Sequence, residues 1–183
     1  MTIKIGVPKE VREGEQRVAL VPDSVNRLTK QDILVTLETG AGALAGYTDD
    51  YYENAEIAAS SAEILSKSDI CLTVNPATNE QIEQLKEGSI LIGYLNPHSD
   101  LERFNKLKAK KISAFSMELI PRISRAQPMD ALSSQASIPG YKPVPLARTL
   151  LCTSSPLFTP AAATLTPAKL SVLSPAPSGP YHS

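Results

Sequence analysis

The feature that most constrains the fold is an alternation of short apolar runs with charged segments. Apolar runs fall at residues 3–7, 33–37, 57–59, 70–74, 89–95 and 112–117. The segments between them place apolar residues at helical spacing, as in Val25 with Leu28 and Ile82 with Leu85. Strand and helix segments in this repeated order predict an α/β fold in which a parallel sheet is flanked by helices.

Short polar side chains and glycines mark the expected ends of the helices. The candidate caps are Asp23 or Ser24, Thr48, and Ser60 or Ser61. Two more amphipathic helices are expected at residues 80–86, ended by Gly88, and at residues 101–110. The run at 89–95 is almost entirely apolar, which is typical of a strand buried on both faces. Six strands and their helices thus account for the chain to about residue 118.

Charge and proline are distributed unevenly along the chain. All 19 acidic residues lie at or before Asp130, and residues 1–130 hold 15 basic side chains, for a net charge of −4. The rest carries only Lys142, Arg148 and Lys169. Eight of the 15 prolines lie from Pro143 onward among Ser, Thr and Ala, as in disordered linkers. We therefore expect one domain at residues 1–142 and an aberrant Pro/Ser/Thr/Ala-rich segment at residues 143–183.

Several classes of function are disfavoured by composition. The overall net charge of −1 does not favour a nucleic-acid partner. Cys71 and Cys152 fit neither a metal motif nor a disulfide framework, and Cys71 lies in an apolar run as a buried small residue would. No signal peptide and no apolar run of roughly 20 residues is present. The expectation is a soluble cytoplasmic protein without a metal site.

Polar side chains crowd the segment at residues 117–135, between the last expected strand and a helix expected to start at Met129 or Asp130. It holds Arg122, Arg125 and Gln127 before Asp130, and Ser133 follows. A loop between a strand end and a helix start is where α/β proteins usually place ligand contacts. The alternative is a solvated loop that Asp130 caps.

Two sets of motifs carry a family resemblance. Pro8-Lys9-Glu10, the run from Gly14 to Pro22 (GEQRVALVP), Thr39-Gly40-Ala41-Gly42 and Tyr47-Thr48-Asp49 resemble the opening of the alanine dehydrogenase and nicotinamide nucleotide transhydrogenase family. The run ELIPRISRAQ at residues 118–127, Met129-Asp130 and LSSQ at residues 132–135 resemble the mobile loop of its transhydrogenase members, in their NAD(H)-binding component. This resemblance implies a flavodoxin-like or Rossmann-like N-terminal domain, followed by the incomplete start of a second Rossmann domain.

The resemblance also separates the two activities of the family. Alanine dehydrogenases supply a Lys after the fourth strand and a His after the fifth, whereas this chain has Asn75 and Asn96 there. An asparagine amide exchanges no proton near neutral pH, so oxidative deamination would lack its acid and base. His98 lies nearby, in a turn where a surface role is more common. Arg17, which meets the substrate carboxylate in the dehydrogenases, is expected to be structural here.

Hydride transfer between two nicotinamides needs close, correctly facing rings and no proton acceptor. The resemblance implies that Arg122, Asp130 and Ser133 orient the nicotinamide end of NAD(H), and that Gln127 reaches toward NADP(H) carried by a separate domain. Arg125 belongs either to this site or to the surface. The family further implies membrane-embedded and NADP(H)-binding partner subunits, proton translocation, a homodimer in the full-length protein and a cytoplasmic location at the membrane periphery.

The resemblance weakens after residue 142. Pro139 would break or kink the helix that the family continues at this point. Where a glycine-rich phosphate turn should follow the strand at Val172-Leu173, the three glycine positions hold Ser174, Ala176 and Gly179. Gly179 alone keeps the cofactor-binding residue type, and nearby prolines remove amide donors. A translation-frame error near residue 144 and a truncated paralogue both explain this tail.

These observations define three functional hypotheses. The first is the NAD(H)-binding component of a proton-translocating transhydrogenase, with weak or absent NAD(H) binding and no activity in the isolated chain. The second is a non-catalytic interaction module derived from that subunit. The third is alanine dehydrogenase, which Asn75 and Asn96 disfavour.

Overall fold

The computed structural model describes residues 2–135, where strands and helices alternate. Strands β1 to β6 span Lys4–Val7, Leu34–Glu38, Glu56–Ala58, Ile70–Leu72, Ile90–Gly93 and Ser113–Ser116. Helices α1 to α4 span Pro22–Thr29, Ser61–Lys67, Asn79–Gln84 and Leu101–Ala109. The chain divides into two compact units, one ending at Ile120 and the other starting at Pro121. The predicted α/β fold is confirmed, and each strand overlaps its expected apolar run.

All strand pairs of the sheet are parallel, in the order β3-β2-β1-β4-β5-β6. The chain first adds strands on one side of β1 and then returns to add β4, β5 and β6 on the other. The order therefore reverses between β1 and β4. In open α/β sheets, ligands bind outside the carboxyl ends of the strands at such a switch point.

Two hydrophobic clusters cover opposite faces of the sheet. One packs Val25 of α1 against β1 and β2, and its buried members are Ile5, Val7, Val25, Val35, Leu37 and Tyr52. The other packs α2, α3 and α4 against β4 and β5, with Leu65, Ile82, Leu91 and Leu107 among its buried members. Each fully buried Leu, Ile or Val side chain stabilises the fold by roughly 1.5–3 kcal/mol. Cys71 is fully buried in the second cluster, as expected, and burial raises the pKa of its thiol to about 12.

The expectation that the fifth strand is buried on both faces is only half met. Leu91 and Gly93 are buried, whereas Ile90 and Ile92 on the opposite face are half-buried. Within residues 2–135, the buried helix residues that pack on β5 belong to the cluster on the Leu91 face. The neighbouring edge strand β6 is more open still, and Phe115, paired in register with Ile92, is 57% exposed.

Helix starts differ from those expected. Helix α1 begins at Pro22 with Val21 at the N-cap position, so Asp23 lies in the first turn and caps nothing. Proline suits the first helical position because its fixed φ is helical and it has no N–H to satisfy there. Thr48 and Ser60 do occupy N-cap positions, but neither side chain accepts a capping hydrogen bond.

Both ends of α3 are fixed by side chains that the sequence reading did not single out. At the start, Thr78 Oγ1 accepts from the Gln81 N–H at 3.2 Å, and Gln81 Oε1 accepts from the Thr78 N–H at 2.9 Å, a complete capping box. At the end, Lys110 Nζ donates to three carbonyl oxygens, those of Ile82 at 3.1 Å, Leu85 at 2.8 Å and Glu83. A lysine ammonium there also opposes the negative end of the helix dipole.

Gly93, the last residue of β5, lies where no side chain could fit. A Cβ at this position would lie 2.4 Å from the Thr73 carbonyl oxygen and 2.7 Å from Thr73 Oγ1. The missing side chain thus leaves room for a buried hydroxyl just past the end of β4. Among residues 2–135, none of the helices has the length and apolar character needed to cross a bilayer.

Candidate functional site

The segment at residues 121–135 is built from a short turn and a helix start. A 3-10 turn spans Ser124–Met129 and contains Pro128, and helical structure begins at residue 131. The predicted helix start at Met129 or Asp130 is therefore correct to within two residues. Pro128 has no backbone N–H, which favours a turn over a continuous α-helix at this point.

Asp130 and Ser133 are joined by two hydrogen bonds. Asp130 Oδ1 accepts from the Ser133 backbone N–H at 2.9 Å, and Oδ2 accepts from Ser133 Oγ at 2.6 Å. This is the N-cap arrangement expected of Asp130. The side-chain bond from Ser133, then its backbone bond and the charge of Arg122, lower the pKa of Asp130. The carboxylate is therefore ionised at neutral pH and presented beside a hydroxyl.

The other candidate residues of the loop are solvent-facing. Arg122, Arg125 and Gln127 are exposed, and the Gln127 carbonyl oxygen accepts from the Asp130 N–H at 3.2 Å. Arg122 is close enough to Asp130 to affect its pKa. The structure thus groups Arg122, Asp130 and Ser133, and leaves the Gln127 side chain exposed, where it can meet another molecule. Gly179 lies outside the described residues.

A second polar cluster lies in the first unit, outside the carboxyl ends of β1 and β4. Asn75 is held there by three neighbours: its Nδ2 donates to Glu10 Oε2 at 3.0 Å and to Glu15 Oε2 at 2.8 Å, and its Oδ1 accepts from Arg12 Nη1 at 3.2 Å. The Glu10 carboxylate also accepts from the N–H groups of Val74 at 2.6 Å and Asn75 at 3.1 Å. Asn75 is thus a bridge between the loops that follow β1 and β4.

Arg17 forms a bidentate ion pair inside this cluster. Its Nε and Nη2 donate to the two carboxylate oxygens of Glu15, each at 2.7 Å. Hydrogen bonding from Arg17, outweighing the opposing effect of burial, lowers the pKa of Glu15 to about 2. Two N–H groups of the guanidinium are therefore committed to an internal carboxylate, which is the structural role expected of Arg17.

Asn96 is likewise held by a carboxylate from a neighbouring segment. The backbone N–H groups of Leu95 and Asn96 both donate to Glu118, the former at 3.2 Å. Burial would raise the pKa of Glu118, but the hydrogen bonds that its carboxylate accepts lower it. Asn96 adopts a positive φ of 51°, a conformation that asparagine tolerates better than most residues. His98 lies in the turn that follows.

The arrangement separates two chemistries. At the sheet edge the two asparagines are tied to carboxylates, and neither can serve as an acid or a base. In the loop, a cation, a carboxylate and a hydroxyl lie together and could bind polar groups of a nucleotide. Sequence reasoning missed Glu10, Glu15 and Glu118 as partners, although each lies within or beside a motif that it quoted.

An open, wholly parallel six-stranded sheet with helices on both faces and polar loops at its switch point defines a Rossmann-like α/β domain. More narrowly, the sequence model of one family, described as alanine dehydrogenase/PNT, N-terminal domain, matches residues 6–139. The chain belongs to this family.

Curated relatives favour one branch of the family. The chain is 42% identical over 144 residues to the NAD(P) transhydrogenase subunit alpha of Cereibacter sphaeroides, covering 78% of this chain and 28% of that protein. It is 39% identical over 177 residues to an NAD(P) transhydrogenase subunit alpha chain of Rhodospirillum rubrum, covering 93% and 46%. The alanine dehydrogenase of Methanococcus maripaludis is 31% identical over 144 residues, covering 78% and 38%. The chain thus spans less than half the length of each.

Solved structures give the same order. A transhydrogenase from Sinorhizobium meliloti matches with a TM-score of 0.80 and 32% identity over 90% of this chain and 50% of that one. An L-alanine dehydrogenase matches with a TM-score of 0.73 and 24% identity, covering 86% and 44%, which supports the fold alone.

Proposed function

We propose that this chain is the N-terminal portion of the NAD(H)-binding component of a proton-translocating NAD(P) transhydrogenase. The observation that carries the proposal is the loop at residues 121–135, where Arg122, Asp130 and Ser133 are grouped beside an exposed Gln127. Its relatives named as transhydrogenase subunits support the same assignment.

In this proposal the loop orients the nicotinamide end of NAD(H). Asp130 and Ser133 together offer acceptor and donor atoms that suit a carboxamide or ribose hydroxyls, and Arg122 adds donors. Gln127 is assigned to contact NADP(H) carried by a partner domain. NAD(H), when bound, supplies the hydride, and the residues of this chain position the cofactor and exclude competing water.

The remaining features of the assignment follow from the relatives. Partner subunits would supply the NADP(H) site and the membrane-embedded proton path, and would hold this component at the membrane periphery on the cytoplasmic side. The full-length protein would be a homodimer. We assign residues 1–142 to one domain and residues 143–183 to a remnant of the nucleotide-binding domain. Since Gly179 alone remains of its glycine turn, the isolated chain is expected to bind NAD(H) weakly or not at all.

A chimera tests the proposal. Residues 1–135 would replace the matching region of the Rhodospirillum rubrum relative, and hydride transfer between NADH and an NADP⁺ analogue would be followed with the partner components present. We expect turnover within about tenfold of the parent, and a further loss of about 10- to 100-fold in Asp130→Asn and Arg122→Met, since hydrogen bonds to charged groups contribute about 1.5–3 kcal/mol. Arg125→Met is the matched control, and an equal loss in that variant would contradict the assigned roles.

The alanine dehydrogenase alternative is tested with the same chimera. Pyruvate, ammonia and NADH should give no turnover, because Asn75 and Asn96 cannot exchange a proton. Robust turnover would overturn the assignment. Calorimetry on the 183-residue chain tests the cofactor expectation separately, and a micromolar Kd for NADH would contradict it.

A further inference from the structure

A cavity of about 290 Å³ lies at the switch point of the sheet. The loop after β1 lines it from Pro8 to Arg12, and the chain after β4 contributes Thr73, Asn75 and Pro76. Helices α3 and α4 complete it with Gln81 and Arg103. The crevice outside the carboxyl ends of strands at a switch point is the usual ligand site of an open α/β sheet. The cavity shares no residue with the loop at 121–135.

Two polar atoms of the cavity wall have unused hydrogen-bonding capacity. Thr73 Oγ1 and Arg103 Nε are buried and have no hydrogen-bond partner within residues 2–135. Thr73 is 7% exposed, and Gly93 lacks the side chain that would collide with its hydroxyl. Buried donors without a protein partner are uncommon, and ligands or ordered waters usually satisfy them.

The charged groups around the cavity are mostly donors. Arg12 commits Nη1 to the Asn75 side chain, and Arg103 commits Nη2 to Asp100 at 3.0 Å. Each guanidinium therefore retains further N–H groups. The Glu10 carboxylate already accepts hydrogen bonds on both oxygens from the chain after β4. The unused capacity of the wall thus consists of N–H and O–H donors, which suit an oxygen-rich anion.

The size and the apolar wall narrow the class of ligand. A volume near 290 Å³ is at the lower end of small-molecule sites and is small for a dinucleotide. Pro8, Val11 and Pro76 offer apolar surface for a short carbon chain. Three separate donor groups match the three oxygens of a phosphate better than the two of a carboxylate.

We propose that this cavity binds a small phosphate monoester, with Arg12, Arg103 and Thr73 contacting the phosphate and the apolar wall contacting its carbon chain. The site is separate from the proposed NAD(H) site. It would therefore give a domain of this family a metabolite-binding function that does not depend on hydride transfer.

Calorimetry and amide NMR shifts of the full 183-residue chain test the proposal with inorganic phosphate, glycerol 3-phosphate and glycerate. We expect saturable binding of glycerol 3-phosphate with a Kd of about 0.1–1 mM, and weaker binding of inorganic phosphate, which lacks the carbon chain. Shifts should concentrate at Val11, Thr73 and Asn75. Arg103→Met should weaken binding at least tenfold, and Thr73→Val about threefold.

Matched variants keep the test specific. Arg27→Met and Thr36→Val change the same residue types outside the cavity and should leave the Kd unchanged. Thr73→Val keeps the β-branched shape, so it remains informative if Arg103→Met unfolds the chain through loss of its contact with Asp100. The proposal is overturned if no ligand saturates at about 10 mM, which would leave the cavity to water, or if glycerate binds as tightly as glycerol 3-phosphate.

Discussion

Replacing Glu15 by glutamine removes the charge of the best-formed ion pair in the first unit. The carboxylate accepts from Arg17 at both oxygens and from the Asn75 amide, and its side chain is only 8% exposed. A glutamine amide in the same place would turn one acceptor into a donor. Either Arg17 or Asn75 would then face an N–H group in place of a carboxylate oxygen.

The magnitude follows from the pKa of Glu15. A lowering from 4.5 to about 2 corresponds to roughly 3 kcal/mol of preference for the charged form. The Arg17 side chain is 45% exposed, so solvent screens part of this interaction. We therefore expect Glu15→Gln to lower the free energy of unfolding by about 1.5–2 kcal/mol at pH 7.

The pH dependence gives the prediction its sign. Because the folded-state pKa of Glu15 lies below the unfolded value, the pair stabilises the fold fully above pH 4.5. That contribution is lost as the pH falls toward 2. The difference in unfolding free energy between wild type and Glu15→Gln, measured by urea denaturation, should be constant from about pH 7 to about pH 5 and shrink steadily below pH 4.5.

Glu63→Gln is the control for this experiment. Glu63 pairs with Lys67 at 2.8 Å on the surface of α2, where the two side chains are 47% and 66% exposed. Such exposed pairs contribute about 0.5 kcal/mol or less, so this variant should change stability little. A loss below about 0.5 kcal/mol for Glu15→Gln, or a loss that persists unchanged at acid pH, would refute the reasoning.

Three further predictions concern the described fold. Lys110→Met should destabilise the chain by about 1–3 kcal/mol in urea denaturation, because three carbonyl oxygens at the end of α3 lose their donor, whereas Lys108→Met should be nearly neutral. Gly93→Ala should cost at least about 2 kcal/mol by the same measurement, since its Cβ would lie 2.4 Å from a backbone oxygen; an unchanged midpoint would contradict this contact. Cys71, in a Cys152→Ser background, should react with a thiol reagent only after denaturant is added, and fast labelling of the folded chain would show that its burial is wrong.

Local patterns predicted most of the architecture. The apolar runs located all six strands because each strand lies in the sheet interior or beside it, and burial selects apolar residues there. The contact between Asp130 and Ser133 was also accessible, because an N-cap and the residue three positions later meet in any helix start. Strand ends were less accurate. The run at 70–74 ends as a strand at Leu72, where Thr73 turns over Gly93.

The polar cluster at the sheet edge could not be predicted in the same way. Glu10 and Asn75 are 65 positions apart, and they meet only because β4 pairs with β1 and not with β3. No periodicity in the sequence encodes that choice of neighbour. The missed cap at Thr78 has a different cause, since the signal, a threonine with glutamine three residues later, was present in the sequence and was not used.

The open face of β6 has a consequence for handling the protein. Phe115 projects from an edge strand whose outer backbone groups have no strand partner within residues 2–135, beside the half-buried Ile92 of β5. An edge strand with an apolar, uncovered face is a template for pairing with another chain. Concentration-dependent aggregation of a trimmed domain is therefore expected to start at β6, and a lysine in place of Phe115 is the natural first change for keeping it monodisperse.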